Sequence, residues 1–182
     1  MPVLGQVLST SEILGNMVLS ANTSIPAGNT VANTTTETAF ASSGSIPANT
    51  LAAGSVVRIK LWGTYGTTVV SPNLTGKLKI GSQALLNTGA LSAAINLSNA
   101  GWFADASIVV QSIGGSGVID AQGFAEFASA ATTGLSVNVP NTSTFTVDTT
   151  TTQAITVTIQ WSAANAANTI TLRQMIVEVL NP

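Results

Sequence analysis

Two carboxylates, Asp120 and Glu126, stand an even number of positions apart in an apolar stretch, so both project from one face of a strand. A paired acid and base of this kind is what glycoside hydrolysis requires, and it is the one common hydrolytic mechanism that needs neither His nor Cys. At about 3.3 Å per residue, however, a straight strand holds the two roughly 20 Å apart, while the mechanism works at about 5 to 9.5 Å. The pair fails on its own, and only Asp105 or Asp148, brought up through the fold, would supply a second carboxylate. The glycine-rich run from Gly114 to Gly117 lacks the Lys and Ser/Thr of a phosphate loop and is followed by a strand-like segment, so it reads as a turn. Asp148, among Thr149 to Thr152, has oxygens to offer calcium but not the spaced acidic ligands of a calcium loop.

The rest of the catalytic repertoire is missing. The chain of 182 residues has no His, no Cys and only twelve charged residues, five basic and seven acidic. That removes thiol nucleophiles, disulfides, imidazole bases and zinc held by Cys or His. The composition predicts a binding or structural protein, not an enzyme, with no cofactor and no metal.

Four of the five basic residues, Arg58, Lys60, Lys77 and Lys79, fall on two consecutive predicted strands. In a simple hairpin with Arg58 opposite Lys79, Lys60 would face Lys77, and like charges across a ladder are destabilising. The strands are therefore expected to cross to different sheets. The four cations either form a patch for an acidic partner surface or are solvated outward faces. Among the aromatic residues, Trp161 has the core parity of its strand and Trp102 follows Gly101 at what reads as the start of another. Trp62 shares a face with Arg58 and Lys60, which makes it the best candidate for an exposed contact, with Tyr65 nearby. The candidate partner-contact residues are thus Arg58, Lys60, Trp62, Lys77 and Lys79.

The elements that must carry these residues are strands. From Thr38 onward, short alternating segments are separated by Gly, Pro and Asn. The clearest is Ala154 to Trp161, with Ile155, Val157, Ile159 and Trp161 on one face and Thr156, Thr158 and Gln160 on the other. Val56 to Trp62, Leu74 to Ile80, Ala106 to Ile113, Val118 to Ala128, Leu135 to Val139, Thr144 to Val147 and Thr169 to Leu180 complete the set. About eight strands without a convincing long helix predict an all-β, two-sheet jelly-roll sandwich over residues 37–182. Residues 1–36 read as an extended N-terminal arm, in which Ser9 and Glu12 fit a capping box that Gly15 and Asn16 weaken. Ser24 to Thr30 and Ser45 to Thr50 echo one another through Ile-Pro-Ala, as a turn used twice.

Bulk properties narrow the partners. A net charge of −2 and a pI near 4.7 leave no surplus of cations for neutralising phosphates, so no nucleic acid is expected. Mean hydropathy is +0.44, yet no apolar run approaches the roughly 20 residues of a spanning helix, so no membrane is expected either. Ser, Thr and Asn fill roughly a third of the positions, far above ordinary usage. With few Lys and Glu to protect exposed strand edges, much of the surface is expected to be covered by copies of the chain or by a partner.

Several stretches look familiar in order: Asn33-Thr34-Thr35-Thr36-Glu37-Thr38, Ile46-Pro47-Ala48-Asn49-Thr50-Leu51, Val57-Arg58-Ile59, Ser112-Ile113-Gly114 and Val147-Asp148-Thr149-Thr150. Asn168 to Arg173 and Val177 to Leu180 continue them. Through these motifs, over roughly residues 33 to 181, the chain resembles a group of tailed-bacteriophage virion structural proteins with a jelly-roll body. The resemblance implies a capsid decoration (cement) protein, often trimeric, made in the host cytoplasm and placed on the virion's capsid surface. Its partners would be the major capsid protein and itself. It carries no catalytic residues. The alternative role is a tail-fibre or receptor- and carbohydrate-binding jelly-roll module, which predicts an exposed aromatic near Trp62 or Tyr65. On the decoration reading, removing Met1 to Thr36 is expected to leave a folded body that no longer binds capsids.

Overall fold

The computed structural model describes residues 17–21, 26–130 and 133–182. The capping-box pair Ser9 and Glu12 lies outside them. All the pairing is antiparallel, and no helix occurs among the described residues, so none is long and apolar enough to cross a membrane. The strands form two sheets. The first contains β1 (Met17–Ala21), β2 (Thr30–Ala32), β5 (Val56–Gly66), β9 (Ala100–Ser112), β10 (Gly117–Ala130), β11 (Thr133–Val139), β12 (Phe145–Val147) and β14 (Thr169–Leu180). Its order is β1-β14-β5-β9-β10-β11, with β2 also on β14 and β12 also on β10. The second contains β3 (Thr38–Ala39), β4 (Gly44–Ile46), β6 (Asn73–Ile80), β7 (Gln83–Asn87), β8 (Leu91–Ser92) and β13 (Gln153–Trp161), in the order β3-β13-β6-β7, with β4 on β13 and β8 on β6.

The two-sheet, all-β architecture is the one expected, and each of the eight predicted strands is present. Among the described residues the strands number fourteen, because six further strands of two to five residues are too short to show a period. Alternation decides which face each long strand buries. Val57, Ile59 and Leu61 of β5, with Val177 and Val179 of β14, meet Leu78 and Ile80 of β6 and Ile155, Val157 and Ile159 of β13 in the core between the sheets. Each such side chain taken from water contributes about 1.5–3 kcal/mol. The filling is imperfect: a largely apolar, partly open pocket of ≈ 70 Å³ lies between the sheets, lined by Leu61, Leu78, Ala104, Ala125 and Val157 among others.

Two aromatic residues fix the middle of the sandwich. Trp102 is buried and stacks between Phe40 and Phe127, at ring-centre distances of 6.2 and 6.1 Å. Trp161 is wholly buried, as its parity requires, and its indole N–H is left without a hydrogen-bond partner, a cost of about 1–3 kcal/mol. Tyr65, considered above as an exposed contact, is instead core. It packs edge-on against Phe127 and donates its hydroxyl to the Ala128 carbonyl at 2.6 Å, and burial pushes its pKa up to about 12.

Part of the segment 1–36 is woven into the first sheet. Strand β1 pairs with the end of β14 and β2 with its beginning. Just before β2, the fully buried Asn29 donates to Ser42 Oγ and the Leu172 carbonyl and accepts from the Ser42 amide, so one side chain ties β14 of the first sheet to the loop between β3 and β4 of the second. The echoed turns behave alike: Gly28 (φ 89°) and Asn49 (φ 60°), each two residues after the Pro, take the left-handed backbone. The Gly114–Gly117 run closes the β9–β10 hairpin, with Gly114 at φ 119° and the Gly117 amide donating to the Gly114 carbonyl.

Candidate functional site

The crossing of the chain from β5 to β6 puts the four cations on opposite sides of the sandwich. Arg58, Lys60 and Trp62 project from the outer face of the first sheet, and Lys77 and Lys79 from the outer face of the second. The expected change of sheet is observed, and a single basic patch does not form. Lys77 and Lys79 close on Glu37, which reaches them from the turn before β3: Lys77 Nζ lies 2.6 Å from Oε2, and Lys79 binds Oε1. Thr158 on β13 donates to the same carboxylate at 2.8 Å. The hydrogen bond from Lys77, then those from Lys79 and Thr158, hold the Glu37 pKa down at about 2. Sequence reasoning missed Glu37 because it joins partners 40, 42 and 121 positions away, beyond any local spacing rule.

On the first sheet the cations keep different company. Lys60 faces Asp105 on β9, and Arg58 faces Glu178 on β14. Neither cation forms an ion pair among the described residues. Opposite charges across a ladder favour this register without fixing the side chains.

Beside these charges lies a shallow concavity of the outer surface. Trp62 is 38% exposed and stands opposite Phe103 on β9, which contacts Phe124 on β10 at 5.7 Å between ring centres. The three rings form a diagonal aromatic row across three strands. Next to Trp62 is a shallow hollow of ≈ 360 Å³, walled by Trp62, Phe103, Glu126 and Ala128 and floored by Gly63, Gly101 and the buried Trp102. The two glycines have opposite roles. A Cβ at Gly63 would sit 2.0 Å from the Thr171 carbonyl oxygen and 2.4 Å from Trp102 Nε1, because the indole passes beneath this position to donate to Thr171 at 3.2 Å. A Cβ at Gly101 would meet nothing within 4 Å, so the absence of a side chain there leaves the hollow open.

The register makes Asp105 and Glu126 diagonal neighbours on β9 and β10. Asp105 lies opposite Phe124 and Glu126 opposite Phe103, so the acids occupy one diagonal while the contacting phenyl rings cross between them on the other. Glu126 leans over Gly134 of β11, away from β9; a Cβ at Gly134 would come 2.6 Å from its Oε1. Asp120, opposite Val109, is farther along β10, and Asp148 belongs to the loop after β12. There its Oδ1 accepts from the Thr150 hydroxyl at 2.6 Å and the Thr150 amide at 2.9 Å, and these bonds, the hydroxyl's first, hold its pKa below the usual carboxylate range. No group of three or more acidic, His or Cys residues that could hold a metal occurs among the described residues.

No family model matches the chain, and no curated protein matches it. Among solved structures it is similar to a chain in one described as "Structure of infectious bursal disease virus Gt strain", with 11% identity and a TM-score of 0.31. That similarity covers 91% of this chain and 32% of the other. A likeness of this size says nothing about role.

Proposed function

We propose that the chain is a virion structural protein: a capsid decoration protein that associates with itself as a trimer and seats on the lattice of the major capsid protein. The observation that carries this reading is the chemistry of one end of the sandwich. Loops 67–72, 93–99 and 162–168 meet there without a single charged residue. They are knitted together by hydrogen bonds from the Thr67 amide to the Leu97 carbonyl, the Thr67 hydroxyl to the Ala94 carbonyl and the Thr68 amide to the buried Asn168 side chain. On this braced end Val69, Val70 and Ile95 are 68%, 70% and 48% exposed. Apolar residues held out into water on a hydrogen-bonded support suit burial against another protein, with no ion to desolvate. The resemblance of an ordered series of motifs to tailed-phage virion proteins supports the same reading.

The test is cryo-electron microscopy of virions carrying wild-type or Val69→Asp/Val70→Asp protein, with the free proteins sized in solution. The reading expects lattice occupancy and a trimer for the wild type, and a folded monomer that leaves the lattice bare for the variant. An unchanged trimer and full occupancy in the variant would overturn it. A second variant lacking residues 1–16 tests the arm. Cutting before Met17 spares β1, Asn29 and β2, which removal of Met1 to Thr36 would take away, so a cooperative melt with lost occupancy is expected.

A further inference from the structure

We infer that the pocket between the two sheets is a binding site for the end of an alkyl chain. The inference stands on the packing of the core and does not rest on the virion reading. The pocket exists because small residues face one another across the sandwich. On the inner face of the first sheet Ala104 is paired with Ala125, and Ala106 with Gly123, a block of four on the neighbouring strands β9 and β10. Opposite them on β6, Gly76 takes the inward position between the buried Leu74 and Leu78. A Cβ at Gly76 would lie 3.6 Å from Ile159 Cδ1 and Thr88 Cγ2, which are ordinary contact distances, so a side chain is missing where there is room for one. Leu86 fills the space over Gly123, and ≈ 70 Å³ is left over the alanines.

Chemistry, size and access together define the occupant. The walls include Leu61, Leu78, Trp102, Phe127, Val157 and Ile159, and the polar atoms that come near are spoken for: the Trp102 indole by the Thr171 carbonyl, the Thr88 hydroxyl by the Gly76 amide and the Gly89 carbonyl. Water held there would forgo its hydrogen bonds and an ion would be desolvated, so the occupant is apolar. A cavity of about 150 Å³ is needed to hold benzene, and ≈ 70 Å³ is about half of that, which leaves no room for a ring but suits a polymethylene chain. The pocket is also partly open. Gly76, Lys77 and Thr88 line it and are only half-buried, at the edge where β7 has ended at Asn87 and β8 has yet to begin at Leu91. A chain entering there keeps its polar head in water. The two charged residues that line the pocket turn their ends elsewhere, Lys77 onto Glu37 and Asp105 into the outer row opposite Lys60. A second gap in the core, lined by Ile46, Val57 and Ile80 among others, measures only ≈ 10 Å³ and is no larger than one water.

The experiment uses the full chain labelled with carbon-13 at its methyl groups and adds the straight-chain alcohols propanol, butanol and pentanol in turn. Saturable shifts are expected at Leu61, Leu78, Val157 and Ile159, and none at Ile46, Val57 and Ile80 around the smaller gap. Affinity should rise about fourfold for each added methylene until the pocket is full. Ala125→Val should weaken butanol binding by about tenfold or more. Gly76→Ala, whose added carbon meets only ordinary contacts, should weaken it several-fold without lowering the melting temperature, and it keeps the test intact if the valine variant does not fold. Octanoate separates the sources of the chain: its binding assigns the pocket to the tail of a longer amphiphile, and its exclusion to a short free molecule. No saturable shift with any of the alcohols, an affinity indifferent to chain length, or wild-type affinity in both variants would overturn the assignment. So would shifts spread equally over both gaps, since alcohol would then be loosening the core at large.

Discussion

The two outer faces of the sandwich are made from the same kind of strand and differ in almost every other respect. The face of the first sheet carries seven of the twelve charged residues, Arg58, Lys60, Asp105, Asp120, Glu126, Arg173 and Glu178, set among the rings of Trp62, Phe103 and Phe124. The face of the second sheet is mostly hydroxyl and amide, with Thr75, Thr156 and Gln160 around one compact cluster in which Glu37 gathers Lys77, Lys79 and Thr158. Charge on the second face is satisfied inside the molecule and staples a loop to a strand. Charge on the first face is spread along the strands, and Arg58 and Lys60 form no ion pair among the described residues. Composition alone, which shows only a shortage of ions, does not reveal that most of them stand on one side.

The comparison breaks most readily from beneath. Gly63→Ala places a methyl group against the Thr171 carbonyl and the Trp102 indole, so it should cost about 3 kcal/mol or more in denaturant unfolding and spoil the floor of the first face. A variant of wild-type stability would show that this floor is not fixed by Trp102. Next in size is Glu37→Gln on the second face, expected to cost about 1–2 kcal/mol at neutral pH after allowance for solvent screening. Because the Glu37 pKa is lowered from 4.5 to about 2, its contribution is complete above pH 4.5 and is lost as the pH falls toward 2. Wild type and variant should therefore converge in melting temperature over that interval, and a gap that persists at pH 2 would contradict the staple. The smallest effect belongs to the first face: Lys60→Ala should change stability by less than about 0.5 kcal/mol. Were it to cost as much as Glu37→Gln, the contrast between a stapled and an open face would fail.

How much of this was legible depends on range along the chain. The long strands announced themselves because period-two alternation is a local signal, and the same parity placed Trp161 in the core and Trp62 outside it. Strand β7 gave no such signal, since Leu85 and Leu86 are buried side by side where the register with β6 shifts. The conflict of like charges between β5 and β6 was readable, and it pointed correctly to a change of sheet. What replaced that pairing was not, because Glu37 arrives from a turn that no spacing rule connects to β6 or β13. The hollow had one faint trace, a glycine inside a strand at Gly101. Only the register that sets Trp62 beside Phe103, and Glu126 beyond it, turns that trace into a site.

The unfilled space between the sheets gives the molecule a particular weakness. Hydrostatic compression favours whichever state occupies less volume, and unfolding removes the imperfectly filled ≈ 70 Å³ among Leu61, Leu78, Trp102, Ala125, Phe127 and Val157. The volume lost on opening is then of the order of tens of mL/mol, so kilobar loading would loosen the sandwich near the Ala104 and Ala125 positions at temperatures where heat alone leaves it intact.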